Sequence, residues 1–437
     1  MKFEISNLIF LILLSSGFIL FYFNIKKIIR NIRIGRDGVQ VNNKKERWKR
    51  VFFIAFGQSK MFDKPLVALL HLVVYVGFVL INIELIEIVI DGLFGTHRIL
   101  AFLGNFYNFL IASFEILAFL VIVACIIFLI RRNIIRIKRF IQSEMKGWPT
   151  IDGNLILIFE ILLMAAFLIM NGSDLALQEK GHYKEAGSFP ISYYLSNLIN
   201  HFSIDSLIII ERICWWFHII GILCFLNYLV ISKHLHILLA FPSTYYSKLS
   251  PKGEFLNMES VTKEVKIMLD PNNDSFSSAN EGQVSRFGAK DVKDLSWLQL
   301  LNSYSCTECG RCTSECPANF TGKKLSPRKI MMDVRDRLDE VGRGIDKNGV
   351  DFEDGKSLLG DYIKQEELWA CTSCNACVEV CPINIDPLSI IIDLRRYTVM
   401  EESKAPSELN TVFSNIENNG APWPFPSADR LKWEEDE

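Results

Sequence analysis

The chain has 437 residues, half of them hydrophobic, with a formal net charge of −2 and a mean hydropathy of +0.23. That hydropathy excludes an ordinary soluble protein of this size and calls for a membrane portion. The balanced charge gives no reason to expect nucleic acid as a partner, and eight of the eleven cysteines fall in two tight groups after residue 300, which excludes the spread of a secreted disulfide framework.

The first apolar run, Leu8 to Phe23, lacks a small-residue cleavage site and continues directly into Lys26-Lys27-Ile28-Ile29-Arg30. It therefore reads as a retained membrane helix and not as a signal peptide. A spanning helix needs about 20 mostly apolar residues. Five windows qualify, at about 5–25, 65–90, 108–130, 154–171 and 205–232, the fourth being the shortest.

Basic residues follow the first, third and fifth windows: Lys26, Lys27, Arg30, Arg33 and Arg36; then Arg131, Arg132, Arg136, Lys138 and Arg139; then Lys233. The positive-inside rule puts these segments in the cytosol of a bacterial-type plasma membrane, with the N-terminus outside and everything after about 233 inside. The loops at 91–107 and 172–203 then face outward as short caps. A polar stretch containing Pro271-Asn272-Asn273-Asp274 and Ser275 to Asn280 reads as a linker. The expected division is a 1–240 membrane bundle, a 241–284 linker, a 285–400 soluble module and a 401–437 tail.

Cys306, Cys309, Cys312 and Cys316-Pro317 form C-x2-C-x2-C-x3-C-P, and Cys371, Cys374, Cys377 and Cys381-Pro382 repeat it with the same spacing. Two-residue gaps let a turning backbone aim three sulfurs at three corners of a cube, and in two-cluster ferredoxins the fourth thiolate serves the other four-iron cluster. The assignment is Cys306, Cys309, Cys312 and Cys381 to one [4Fe-4S] cluster and Cys371, Cys374, Cys377 and Cys316 to the second. Structural zinc sites use two C-x2-C pairs and four ligands in total, which two runs of four do not match.

The 54 residues between Cys316 and Cys371 are too many for a compact β-rich ferredoxin, and helical patterns run from Pro327 to Glu340 and from Pro387 to Arg396. The expected fold is all-α: a five-helix transmembrane bundle followed by a cytosolic α-helical ferredoxin domain. The stretches SCTECGRCTSECPA, SPRKIMMDVR, WACTSCNACVEVCP and DLRR resemble the ferredoxin-like part of heterodisulfide reductase-related iron–sulfur oxidoreductases, over about 300–400. In such relatives a catalytic part with Cys-Cys-Gly motifs follows or is a separate subunit. The resemblance thus implies a cytosolic iron–sulfur or flavin oxidoreductase subunit as partner, because no cysteine follows Cys381.

His71, His218, His234 and His236 lie in or at the ends of apolar windows, where polar groups are costly. His218 and His236 are 18 residues apart, five turns, so on an ideal helix they share a face about 27 Å apart. HIIGILCFLNYLVISKHLHI resembles the last helix of the cytochrome b (gamma) subunit of respiratory nitrate reductase, and LLHLVVYVGFVL resembles its helix with two histidines ten residues apart, of which His71 is present and the other position is Ile81. The resemblance implies one haem b near the cytosolic face, held by His71 and His236, and a quinone (menaquinone or ubiquinone) as redox partner. For His218 three readings stand: a second haem with His97, replacement of His236 as partner of His71, or a hydrogen bond inside the bundle. His234 points elsewhere, as an interface residue. Glu84, Glu87 and Asp91 form one stripe near the outer end of the second window; an acid of this group, with Arg98, is a candidate for proton exchange with a quinone, against the alternatives that these acids reach the outer interface or pair with Arg212.

The expected function is electron transfer between a quinone pool, haem b and two [4Fe-4S] clusters. The rivals are a membrane-tethered ferredoxin without haem or quinone chemistry, and a sensor, for which no output domain is visible. There is no G-x-G-x-x-G fingerprint for a dinucleotide.

Overall fold

The structure is a computed structural model and describes residues 5–37, 41–251, 253–269 and 286–434. The polar run at 271–280 lies outside the described residues. Among those described there is no β-strand, only two isolated bridges.

Five helices are long and apolar enough to cross a membrane: α1 (Ile5–Arg33), α3 (Pro65–Phe94), α4 (Asn105–Asn133), α5 (Trp148–Glu179) and α7 (Ile204–Tyr228, prolonged by a 3₁₀ turn to Ile231); the short α2 (Lys44–Arg50) and α6 (Ser192–Ile199) lie between them. The fourth apolar window is the core of the longest helix, 32 residues, because Pro149 at its first turn and the polar residues beyond 171 stay helical. Helix α5 is the hub: it packs on α4, α6 and α7 and buries 50 % of its apolar window, against 11 % for α1. Small residues allow close crossings, since a Cβ on Gly92 would lie 2.7 Å from the Phe10 ring and one on Gly221 2.6 Å from Leu163. Outward faces carry exposed Leu, Ile and Phe, such as Leu66, Leu69, Phe78 and Ile86 of α3, as a lipid-facing surface requires.

At one end of the bundle, polar groups fold the caps. Glu115 accepts N–H bonds from Ile191 (3.0 Å) and Ser192 (3.1 Å), satisfying free amides at the start of α6 from inside α4. Arg98 donates to Asp174 (2.6 Å), Asn171 (2.9 Å) and Tyr107 (3.0 Å), all buried.

At the other end sits the cysteine module. Helix α8 (His236–Tyr246) leaves the bundle, followed by α9 (Glu259–Leu269), and the module contains α10 (Trp297–Ser305), α11 (Arg311–Ser314), α12 (Pro317–Phe320), α13 (Pro327–Asn348), α14 (Gln365–Trp369), α15 (Ala376–Glu379) and α16 (Pro387–Met400). The long helices start alike: Ser326 caps α13 by accepting from Lys329 N, Asp386 caps α16 by accepting from Ser389 N, and each is followed by Pro at the first position. Their apolar faces, including Ile330, Val334, Leu338, Leu388, Ile391 and Leu394, form one core. The tail adds α17 (Ser407–Asn419).

That core also takes in Ile28 of α1 together with Val230 and Leu235, so bundle and module share apolar packing. Arg36 pairs with Asp294 at 2.7 Å, Arg328 with Glu144 at 2.8 Å, Asn31 donates to the Tyr304 hydroxyl at 2.9 Å, and Lys233 pairs with Glu308. Burial raises the Asp294 carboxyl, but N–H bonds from Lys290 and Asp291 and the Arg36 guanidinium outweigh it and hold the group below the ordinary aspartate value. Burial likewise raises Glu144, while hydrogen bonds from Arg328 and Ser326 bring it below the ordinary glutamate value. Carboxyls lowered in the folded state stabilise it above their unfolded values and lose that contribution as pH falls through the native ones. Docking is therefore expected to hold steady from neutral pH down to about pH 4 and to weaken below it. Hydrogen exchange of residues 28–36, corrected for intrinsic rates, checks this; a loss of protection already between pH 7 and 5 contradicts it.

Candidate iron–sulfur and haem sites

The two cysteine runs fold into the same loop. In the first, Glu308 and Gly310 have φ of 54° and 71°; in the second, Ser373 and Asn375, at the matching positions, have 56° and 60°. Left-handed residues of this kind curl a loop until its N–H groups face inward, and non-glycine residues hold that conformation only where their surroundings enforce it. The inward amides find sulfur: Ser373 N lies 3.4 Å from Cys371 Sγ and Ile385 N 3.3 Å from Cys381 Sγ.

The thiols surround two cavities. Cys306, Cys309, Cys312 and Cys381 line one, and Cys316, Cys371, Cys374 and Cys377 line the other, with Cys377 on the wall between them. Among the described residues no three His, Cys, Asp or Glu side chains converge closely enough for a single ion. Thiols set around a volume in this way suit a cluster. The first cavity supplies a further test of fit. Arg328 lines it with a fully buried side chain; its outer nitrogens donate to Arg139 O, Gln142 and Glu144, while its Nε has no hydrogen-bond partner among the described residues. A buried donor without a partner is costly. Cluster sulfur beside it would supply one.

Three histidines share one arrangement. The Nδ1 of His71 faces Gln58 Oε1 at 3.0 Å, that of His236 faces the Lys233 carbonyl at 3.1 Å, and that of His218 faces the Leu163 carbonyl at 3.0 Å. Each partner is an acceptor, so the proton sits on Nδ1 and Nε2 keeps its lone pair, which is the state a haem ligand needs. His71, His234 and His236 gather at the module end, within electrostatic reach of one another, with the His234 and His236 rings 5.4 Å apart. His218 is buried deeper in the bundle, 6.0 Å from the Phe167 ring. His97 sits at the opposite end, 3.4 Å from Asp174 and with its ring centroid 4.3 Å from that of Tyr183, the two rings tilted at 37°.

That opposite end holds a cavity of about 370 Å³ between α1, α3, α5 and α7, lined by acids and arginines together with Phe10, Trp215 and Trp216. Within the stripe read from the sequence, Glu87 accepts from Tyr107 (2.9 Å) and Leu100 N (2.8 Å), and Asp91 accepts from Arg98 N (2.7 Å). Glu84 is 3 % exposed and its Oε2 has no hydrogen-bond partner among the described residues. Arg212 pairs with its neighbour Glu211.

Residues 305–385 match the family of 4Fe-4S dicluster domains. The module is a 4Fe-4S dicluster domain. Its relatives are iron–sulfur oxidoreductases. Similar proteins include the probable iron-sulfur-binding oxidoreductase FadF of Bacillus subtilis, 31 % identical over 99 % of this chain and 61 % of the relative, and the EtfAB:quinone oxidoreductase of Syntrophomonas wolfei, 26 % identical over 87 % and 53 %. A probable membrane-anchored ferredoxin of Chromohalobacter salexigens is 32 % identical over 34 % of this chain and 24 % of its own. The chain thus spans little more than half the length of the first two. No solved structure matches. With its five apolar helices, the dicluster domain belongs to a membrane protein.

The sequence reading missed the segment that joins the histidines to the dicluster domain. Gln58 bonds His71; two residues on, Lys60 Nζ donates to Glu379 O (2.8 Å) and Cys381 O (3.1 Å), and Arg311 reaches back to Lys60 O (3.0 Å) and Met61 Sδ (3.4 Å). Polar residues between two apolar windows carry no signal of such contacts. Arg311 and Arg328, in contrast, lie inside the quoted motifs and were open to notice.

Proposed function

We propose that this chain relays electrons between a soluble oxidoreductase and a membrane quinone pool through two [4Fe-4S] clusters and haem b. Bound clusters and haem supply one-electron carriers. Cys306, Cys309, Cys312 and Cys381 would hold one cluster, Cys371, Cys374, Cys377 and Cys316 the other, and His71 and His236 the haem, with His218 available for a second. The observation that carries the reading is the Gln58–Met61 segment, which touches a haem-ligand candidate at one end and the Cys381 loop at the other.

The basic segments after α1, α4 and α7 all lie against the dicluster domain, through Arg36, Arg139 and Lys233, which supports a cytosolic domain and an outward N-terminus. The cavity lined by Glu84 is then at the outer end, and its size and aromatic walls suit the ring of a menaquinone or ubiquinone. Glu84 is placed to exchange its proton. A quinone also stands in the name of the Syntrophomonas relative. The soluble partner would be an iron–sulfur or flavin subunit carrying Cys-Cys-Gly motifs.

The test is anaerobic purification in detergent with non-haem iron, acid-labile sulfide and haem quantified beside a reduced-minus-oxidised spectrum, before and after adding quinol. About eight irons, as two four-iron clusters require, with haem b that responds to quinol are expected. His71→Ala should remove haem and leave the iron in place. Eight irons without haem would instead favour a tethered ferredoxin.

A further inference from the structure

We infer that the two clusters are electrostatically unequal: the one held by Cys306, Cys309, Cys312 and Cys381 is the membrane-facing, higher-potential cluster, and Lys60 of the bundle helps set that potential. This rests on the two-cluster reading above. The cavities differ in their charged surroundings. Arg311 and Arg328 line the first cavity; Lys60 lies within electrostatic reach of Cys381, Arg139 of Cys309 and Arg335 of Cys306. Of the acids in this loop, Glu308 is neutralised by Lys233 and by Arg335 at 2.6 Å, and Glu315 is exposed to solvent. Among the described residues no charged side chain lines the second cavity, whose walls include Leu325, Pro327, Leu388 and Ile391. Arg395 reaches Cys371 there, but Asp386 faces Cys377.

Reduction adds negative charge to a cluster, so nearby cations favour the reduced form and raise the potential. Solvent works in the same direction, and Cys374, on the second cluster, is the exposed member of the eight ligands. Water offsets part of the difference. The cations prevail because Lys60, Arg139 and Arg311 remain after Glu144 balances Arg328 and Glu308 is shared by Lys233 and Arg335, and because Arg311 sits largely out of water, where a charge acts more strongly.

Position agrees with potential. Lys60, Arg139 and Gln58 come from bundle loops and reach the first cluster and His71, whereas the second cluster opens to solvent at Thr372 and Cys374. Electrons taken up from a soluble donor at Cys374 would run downhill to the Cys306 cluster and on toward the histidines. That order of potentials would favour flow from the soluble side into the membrane.

The experiment is a potentiometric titration of the purified full chain followed by EPR, with Lys60→Gln, Arg139→Gln and Cys374→Ser compared with the unsubstituted protein. Two cluster signals with separate midpoints are expected, and Cys374→Ser should remove the lower one. Lys60→Gln should shift the upper midpoint downward and leave the lower in place, with Arg139→Gln doing the same should Lys60→Gln not fold. Equal midpoints, loss of the upper signal in Cys374→Ser, or an upper midpoint unmoved in both charge variants would overturn the inference while leaving two clusters standing. A protein with no iron would overturn the two-cluster reading itself.

Discussion

A Cys316→Ser variant is expected to lose the same cluster as a Cys374→Ser variant, although Cys316 belongs to the other run. The reason is topological. Cys316 ends the first loop, and α12 and α13 then carry the chain away and back, so its thiol lines the cavity of Cys371, Cys374 and Cys377. By the same crossing Cys381 joins Cys306, Cys309 and Cys312. Each single variant should keep about four of about eight irons. The double variant Cys316→Ser with Cys374→Ser should also keep about four, because both changes fall on one site, whereas Cys316→Ser with Cys309→Ser should keep almost none. Iron and sulfide analysis decides. If Cys316→Ser behaves additively with Cys374→Ser instead, each run holds its own cluster and the crossed assignment is wrong.

Arg98→Ala is expected to be the most damaging single change outside the cysteines. Its guanidinium is 8 % exposed, binds Asp174, Asn171 and Tyr107 together, and lies 4.9 Å over the Phe189 ring. Asp174, 3 % exposed, would be left with no arginine, and Tyr107 would lose one of its two partners. Breaking a buried pair by removing one member costs about 3–5 kcal/mol. Arg98→Lys should recover little, since a single ammonium cannot reproduce the planar fork that meets three acceptors. Thermal unfolding in detergent, followed by loss of monodisperse protein, measures both. A variant that melts with the unsubstituted chain would show that the cap at this end of the bundle does not depend on this residue.

How far the sequence was legible follows from the range of the forces involved. The five membrane helices were readable because apolar composition over 20-odd residues is a local property, and the start signals Ser326-Pro327 and Asp386-Pro387 are local too. The cysteine spacing announced the dicluster domain for the same reason. The ends of α1 and α5 were not readable, because their last turns are polar and stay helical through tertiary partners: Asn31 on Tyr304, and Asn171 and Asp174 on Arg98. The stripe of Glu84, Glu87 and Asp91 was visible as a pattern, yet only the fold separates Glu84, left without a partner, from the other two, which brace the cap. The Gln58–Met61 segment was invisible altogether, since its partners lie further along the chain, one 13 residues on and the others 250 or more.

The deep reach of α1 into the dicluster domain has a consequence for biogenesis. Arg30 donates to the Gly342 carbonyl across 312 residues of chain, and Ile28 packs into the same core. A ribosome makes that helix long before the core that receives it. Closing so long a loop is entropically unfavourable and slow, so the tip of α1 waits, inserted but unpaired, through the synthesis of everything between. Seating it is then a late step of assembly, and a chain interrupted before the dicluster domain carries an unmatched end on that helix by which quality control tells it from one in which the two have met.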